Sequence, residues 1–219
     1  SFPTRRSSDL DEEIGAGLVA VTQAAAVEQR PAGEVLAEVL AQGKRVLQVD
    51  GQACTLGEVA FVEMLNLRGN PADVRFTQAV LQHTGMHLPQ HANTASIDPQ
   101  RQLLWMGPDE WLLKVRDGQG DTIATALRAA LTGVHSAVVD VGHGNTTLTL
   151  EGPAAADLLA RGCPLDVHAR VFPAGAMAQT HVAKASATVL CLASGAHYEL
   201  TVRRSFADYL FRWLCAAGE

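Results

Sequence analysis

A short alternating run that ends in glycine and leads directly into Pro-Ala occurs twice in this chain. Met64–Gly69 (MLNLRG) precedes Pro71-Ala72, and Thr147–Gly152 (TLTLEG) precedes Pro153-Ala154. Alternation places Leu65 and Leu67 on one face of a strand and Met64, Asn66 and Arg68 on the other. Proline suits the first turn of a helix, where its missing N–H would have no partner anyway. Aligning Gly69 with Gly152 pairs Leu65 with Leu148 and Leu67 with Leu150. The recurrence predicts two related halves, about residues 55–142 and 143–217.

The punctuation between these marks gives the order of elements. In the first half, Val74, Phe76, Val80 and Leu81 continue a helix to a stop at Gly85. Leu103–Met106 and Trp111–Val115 read as strands joined at Gly107-Pro108, followed by a helix over 122–131 and a strand over 137–141. The second half offers a helix to Arg161, strands at Met177–Val182, Thr188–Leu192 and Tyr198–Val202, and a closing helix over Ser205–Cys215. The expected fold class is α+β: two ferredoxin-like β-α-β-β-α-β halves packed as a pseudo-duplicated body with a groove between them. One layer of helices covers one face of each sheet, so the other face must meet the sister half, a partner or a ligand. Asn66 and Arg68, with Thr149 and Glu151 at the matching positions, are the residues expected to line the contact between halves.

Residues 11–54 read as a helical, poorly defined extension: an Ala-rich stretch to Gln29, a break at Pro31, then Val35, Leu36, Val39 and Leu40 at helical spacing before Gly43. Ser1–Leu10 (SFPTRRSSDL) is what the end of a common short-read sequencing adapter encodes in one frame, and it is read as an assembly artefact. Arg5-Arg6 ahead of an apolar stretch imitates a twin-arginine export signal, but Asp11, Glu12 and Glu13 intervene where such a signal carries no charge.

Composition narrows the function. With 47% hydrophobic and 18% charged residues among 219, the chain has the apolar content to bury a core and is not a disordered polymer. Seventeen Lys and Arg against 23 Asp and Glu give a net charge of −6. No basic cluster exists for nucleic acid or an anionic membrane. The longest apolar run, Ile14–Val27, is broken by Thr22 and Gln23 and is too short to span a bilayer. Cys54, Cys163, Cys191 and Cys215 form no C-x-x-C, which points to buried thiols in a reducing cytoplasm rather than a zinc or redox site.

Motifs that carry chemistry are few. His83, His87 and His91 are spaced four apart, but Gly85 and Pro89 break the helix that would align them as metal ligands. Asp109 and Glu110 sit at a strand–strand turn, where adjacent side chains point to opposite faces and do not converge on one substrate. Arg203-Arg204 closes a strand just before a helix N-terminus; it could take a folate glutamate tail or a phosphate, but an inter-subunit or surface ion pair is the better account. Asp140, at the end of its strand, is the one candidate for an acid facing a groove. There is no G-x-S-x-G, and Gly142-His143-Gly144 lacks the third glycine of a dinucleotide fingerprint.

Longer blocks carry a resemblance. NLRG-PAD at Asn66–Asp73, LLWMGPDEWLL at Leu103–Leu113, HSAVVDV at His135–Val141, GPAAADLLARGCPLDVH at Gly152–His168 and VRRSFADYLFRWL at Val202–Leu214 are similar to the gamma subunit of heterotetrameric sarcosine oxidase. The resemblance covers about residues 55–217, and the G-P-D-E-W turn is shared with the wider folate-binding, aminomethyltransferase-like group. It implies a subunit of a cytoplasmic oxidoreductase complex that turns sarcosine, oxygen and tetrahydrofolate into glycine, hydrogen peroxide and the 5,10-methylene folate. It further implies alpha, beta and delta subunits as partners. FAD, FMN and NAD would be held by alpha and beta, and zinc by delta, leaving this chain without a cofactor or active site. A self-standing folate-binding or folate-dependent protein is the alternative. The sequence departs from the family at His143-Gly144-Asn145, where a Ser/Ala/Asn-type turn ahead of arginine is expected and Thr146 takes the arginine's place.

Overall fold

The computed structural model describes residues 44–218. These belong to one compact unit assigned to Ala32–Glu219. The adapter-like segment and the helices expected before Gly43 lie outside the described residues. Immediately after them the expected helical extension is replaced by strands: β1 (Arg45–Val49) and β2 (Gln52–Glu58). Asp50 and Gly51 both have positive φ, 51° and 81°, the backbone of a type I′ hairpin turn. Leu47, Val49, Cys54 and Leu56 alternate onto one buried face, so a period of two wins over the helical reading.

The remaining elements follow in order: β3 (Glu63–Gly69), α1 (Val74–Thr84), β4 (Ala95–Ile97), β5 (Arg101–Gly107), β6 (Glu110–Val115), α2 (Gly120–Ala130) and β7 (Ser136–Asp140). Then come β8 (Asn145–Glu151), α3 (Ala155–Ala160), β9 (Met177–Val182), β10 (Ala185–Ala193), β11 (His197–Arg203) and α4 (Arg204–Ala217). The strands form two antiparallel sheets, a five-stranded one in the order β4-β5-β6-β3-β7 and a six-stranded one in the order β1-β2-β8-β11-β10-β9. Asp73 starts α1 by accepting the Arg75 N–H, and Gly85 ends it in the left-handed region at φ 73°. The architecture is therefore α+β, with four α-helices among the described residues.

The two sheets are built differently from the chain. The five-stranded sheet comes from one contiguous segment, and β7 lies beside β3 (Leu67↔Val138). In the six-stranded sheet, the place beside β8 is taken by β2, in the register Thr55↔Glu151 to Glu58↔Leu148. Residues 55–58, grouped with the first half in the sequence, are thus part of the second sheet. Thr146 secures this junction by donating to Glu58.

Each sheet turns one face to its helices. Leu65, Leu67, Phe76, Val80, Trp111 and Leu127 belong to the first core, and Leu56, Leu148, Leu158, Leu200, Leu210 and Phe211 to the second. Fully burying each such side chain contributes about 1.5–3 kcal/mol. A third cluster, Met64, Leu104 and Leu112 against Met177 and Leu190, lies where the other two faces meet. The sheets are also joined along one edge, where Met177 N–H donates to Asn93 O and Ala95 N–H to Gly175 O.

The two aligned glycines serve different purposes. A Cβ on Gly69 would lie 2.5 Å from the Phe76 ring, so this glycine admits an aromatic side chain. Gly152 has φ +132°, and a Cβ there would lie 2.5 Å from the Ala53 carbonyl oxygen of β2. It admits a strand.

Candidate functional site

The region that could do chemistry lies between the sheets, on the strand faces turned away from the helices. Alternation sends Gln102, Leu112 and Lys114 from β5 and β6, and Glu199, Thr201 and Arg203 from β11, toward this region. Two features occupy it: a buried charged cluster and a groove.

In the cluster, Lys114 and Glu199 are 0% and 1% exposed, and Lys114 Nζ lies 2.5 Å from Glu199 Oε2. Gln102 Nε2 donates to Glu199 Oε1 at 3.2 Å, and Arg116 donates to the same oxygen. Three donors, from β5, β6 and the residue that follows β6, thus converge on one carboxylate of β11. Burial pushes the Glu199 carboxyl up, but the charges of Lys114 and Arg116 and their hydrogen bonds outweigh it and hold it at about 2. Burial pulls the Lys114 ammonium below its usual range, against the attraction of Glu199. The cluster has the chemistry of a structural clamp: its carboxylate is buried and held by three donors.

The clamp gives stability a pH dependence with a definite sign. Glu199 falls from its ordinary 4.5 to about 2 on folding, so its contribution is complete above pH 4.5 and is lost as pH drops toward 2. The shift corresponds to about 3 kcal/mol. The urea midpoint of the chain is expected to fall across that interval, and the Glu199→Gln variant is expected to lose distinctly less. Equal losses in the two proteins would assign the acid sensitivity elsewhere.

The groove, about 680 Å³, opens beside the clamp between the ends of the strands. Thr201, Thr188 and Gln179 line it from the six-stranded sheet, and Asn66, Met106 and Leu112 from the five-stranded one. Gln179 Nε2 bridges the two sheets by donating to Met106 O at 2.8 Å.

The residues singled out in the sequence are dispersed around this region. Asn66 reaches the groove and donates to Glu110 Oε1 at 2.7 Å. Arg68 pairs within its own sheet, with Glu110 at 3.2 Å and Asp109 at 3.6 Å. Thr149 bonds His197 Nε2 at 3.0 Å, and Glu151 pairs with Lys44 at 3.7 Å. Arg68 and Glu151 therefore hold separate ion pairs; the charged contact between the sheets is made by Glu199 with Lys114 and Arg116. Asp140 accepts the Gly142 N–H at 2.8 Å and stands 3.9 Å from His143 Nε2, capping the turn after β7, while its neighbour Val141 lines the groove. The two arginines part: Arg203 lines the groove, whereas Arg204 donates to His143 O at 3.3 Å. His83 ends α1, and the backbone carbonyls of His87 and His91 accept from Ser96 and Thr94. Among the described residues no three His, Cys, Asp or Glu side chains group as metal ligands. No described helix is long and apolar enough to cross a membrane.

No motif of the sequence points to Lys114 and Glu199, yet each leaves a signal. Each is a lone charge between large apolar residues in the middle of a strand, Leu113-Lys114-Val115 and Tyr198-Glu199-Leu200, with opposite signs in the two halves.

Comparison with known proteins places the chain in a family. The sarcosine oxidase, gamma subunit family (SoxG) matches residues 68–219. The chain belongs to this family. The sarcosine oxidase subunit gamma of Corynebacterium sp. (strain U-96) is 33% identical over 181 residues, covering 81% of this chain and 86% of the relative. That of Arthrobacter sp. is 32% identical over 190 residues, covering 86% and 89%. Among solved structures, a chain of heterotetrameric sarcosine oxidase from Corynebacterium sp. U-96, in complex with pyrrole 2-carboxylate, superposes with a TM-score of 0.76. It is 30% identical, and the match covers 84% of this chain and 92% of that one. The aminomethyltransferase T of the glycine cleavage system from Bartonella henselae shares the fold, at a TM-score of 0.55 and 16% identity over 82% of this chain and 56% of that one. This gamma subunit family member thus has an aminomethyltransferase-like fold.

Proposed function

We propose that the chain is a non-catalytic gamma subunit that completes a heterotetrameric sarcosine oxidase. The complex would be cytoplasmic and would convert sarcosine, tetrahydrofolate and oxygen to glycine, 5,10-methylenetetrahydrofolate and hydrogen peroxide. FAD, FMN, NAD and zinc belong, on this reading, to the alpha, beta and delta subunits. The observation that carries the reading is the match to the sarcosine oxidase chain over 84% of this sequence. The disposition of charge agrees with it, because Glu199 is spent on the clamp and Asp140 on its own turn. The alternative, a self-standing folate-dependent enzyme, needs an uncommitted acid in the groove; Asp140 caps a turn, and Glu110, which lines the groove, is held by Asn66 and Arg68.

Co-expression of the tagged chain with its candidate alpha, beta and delta partners tests the proposal. A yellow complex of fixed stoichiometry is expected, with Asp140→Asn leaving its sarcosine turnover unchanged. A colourless, folded chain recovered alone would overturn the assembly reading. Loss of turnover in an intact Asp140→Asn complex would overturn the non-catalytic one.

A further inference from the structure

We propose that the groove between the sheets binds a small, flat organic carboxylate, with its carboxylate between the Arg203 guanidinium and the Thr188 hydroxyl. This binding is distinct from subunit assembly and does not depend on it.

The first observation is a change in the character of one sheet face. Where the two sheets touch, both faces are apolar, with Met64, Leu104 and Leu112 against Met177 and Leu190. Toward the groove the six-stranded sheet becomes polar in register. Thr201 of β11 is paired with Thr188 of β10, and Thr188 with Gln179 of β9, so two hydroxyls and an amide form one row. The next row brings Asn145 opposite Arg203 and Ser186 opposite His181. All seven of these side chains belong to residues lining the groove. The facing wall is apolar over Met106, Leu112 and Val141, with Asn66 and Glu110 bonded to each other beside them. A polar sheet face and an apolar one do not complement each other, and here they leave a gap instead of closing. A flat body with one charged edge satisfies both walls.

The second observation is the balance of partners inside the gap. Glu110, the carboxylate lining the groove, is already held by Asn66 and Arg68. The Arg203 side chain, exposed at the mouth of the groove, has neither an ion pair nor a hydrogen bond among the described residues. Its guanidinium is located by Gly144, since a Cβ on that glycine would lie 3.2 Å from Arg203 Nη1. The planar fork of arginine matches a carboxylate.

The third observation is depth. Thr188 is 9% exposed, and its hydroxyl, which takes no protein partner among the described residues, opens to the groove. Thr201, 7% exposed, has only the Thr147 hydroxyl at 3.4 Å. A small molecule entering the gap reaches this floor, whereas the surface of a partner protein would rest on the rim. The volume, about 680 Å³, falls within the usual range for small-molecule sites.

The test uses the full chain, cinnamate as the flat carboxylate and cinnamyl alcohol as its uncharged counterpart, both titrated by calorimetry. Saturable binding of one cinnamate is expected, at least about tenfold tighter than the alcohol, with Arg203→Met weakening it by roughly tenfold or more. Thr188→Val, close to isosteric, is expected to weaken it by about fivefold. Thermal melts of both variants establish that they are folded. Absence of saturable cinnamate binding would overturn the proposal, as would equal binding by the wild type and a folded Arg203→Met variant. If Arg203→Met instead impairs recovery of flavoprotein partners and leaves cinnamate binding untouched, the groove is a protein seat and the ligand proposal fails.

Discussion

Replacing Glu199 by leucine is expected to destabilise the chain by about 3–5 kcal/mol, a large share of the stability of a domain this size. The loss comes less from the missing ion pair than from what remains. Lys114, fully buried, is left without a counter-charge, and Gln102 and Arg116 lose their common acceptor. Lys114→Met is expected to cost less, because Glu199 keeps Arg116 and Gln102, and Arg116 is 29% exposed and still hydrated. The double variant Lys114→Met with Glu199→Leu is expected to recover much of the loss, because an apolar pair replaces an orphaned cation. Urea unfolding of the four proteins closes the cycle. Additive losses would show that the two residues do not act as a buried pair.

The second large effect is expected at Gly152. Gly152→Ala imposes a Cβ on a backbone at φ +132° and drives it to within 2.5 Å of the Ala53 carbonyl oxygen. The strain alone costs on the order of 1–3 kcal/mol. The obstruction adds to it, because backbone cannot swing aside as a side chain can, and β2 must separate from β8. Gly133→Ala is the control: φ is +78°, but nothing lies within 4 Å of a Cβ there. Gly152→Ala is expected to lower the unfolding free energy by at least about 2 kcal/mol more than Gly133→Ala. It should also speed amide exchange selectively in β1 and β2. Equal losses in the two variants would show that the close approach to β2 is unimportant.

Local signals carried the parts of the fold that are local. The strand–glycine–Pro-Ala repeat marks β3 and β8, and the runs about Gly107-Pro108 become β5 and β6 because short apolar runs bounded by a turn suit strands buried on both faces. Helical spacing upstream favours an extension in place of β1 and β2, although Asp50-Gly51 between alternating residues is a hairpin signature. That β2 pairs with β8 could not be read from nearby residues at all, since it depends on the place left open beside β8. The same limit applies to the candidate site. Alternation correctly sent Asn66 and Arg68 away from the helices, but alternation cannot say which stretch of a face meets the opposite sheet. That is set by how the sheets overlap, and the overlap put Lys114 and Glu199 at the centre and left Arg68 and Glu151 to neighbours nearby.

The borrowed position of β2 has a consequence during synthesis. Thr55 must wait for Glu151, 96 residues later, before its strand finds β8. At 5–20 residues per second the delay is roughly 5–20 s. The five-stranded sheet can complete itself in that interval, since it is contiguous, while the β1–β2 hairpin stands on the ribosome with Leu47, Val49 and Leu56 uncovered. The nascent chain thus spends its most vulnerable seconds with its earliest described strands unpartnered. A version trimmed to residue 68, where the family match begins, would avoid that wait by discarding the strand that closes its second sheet.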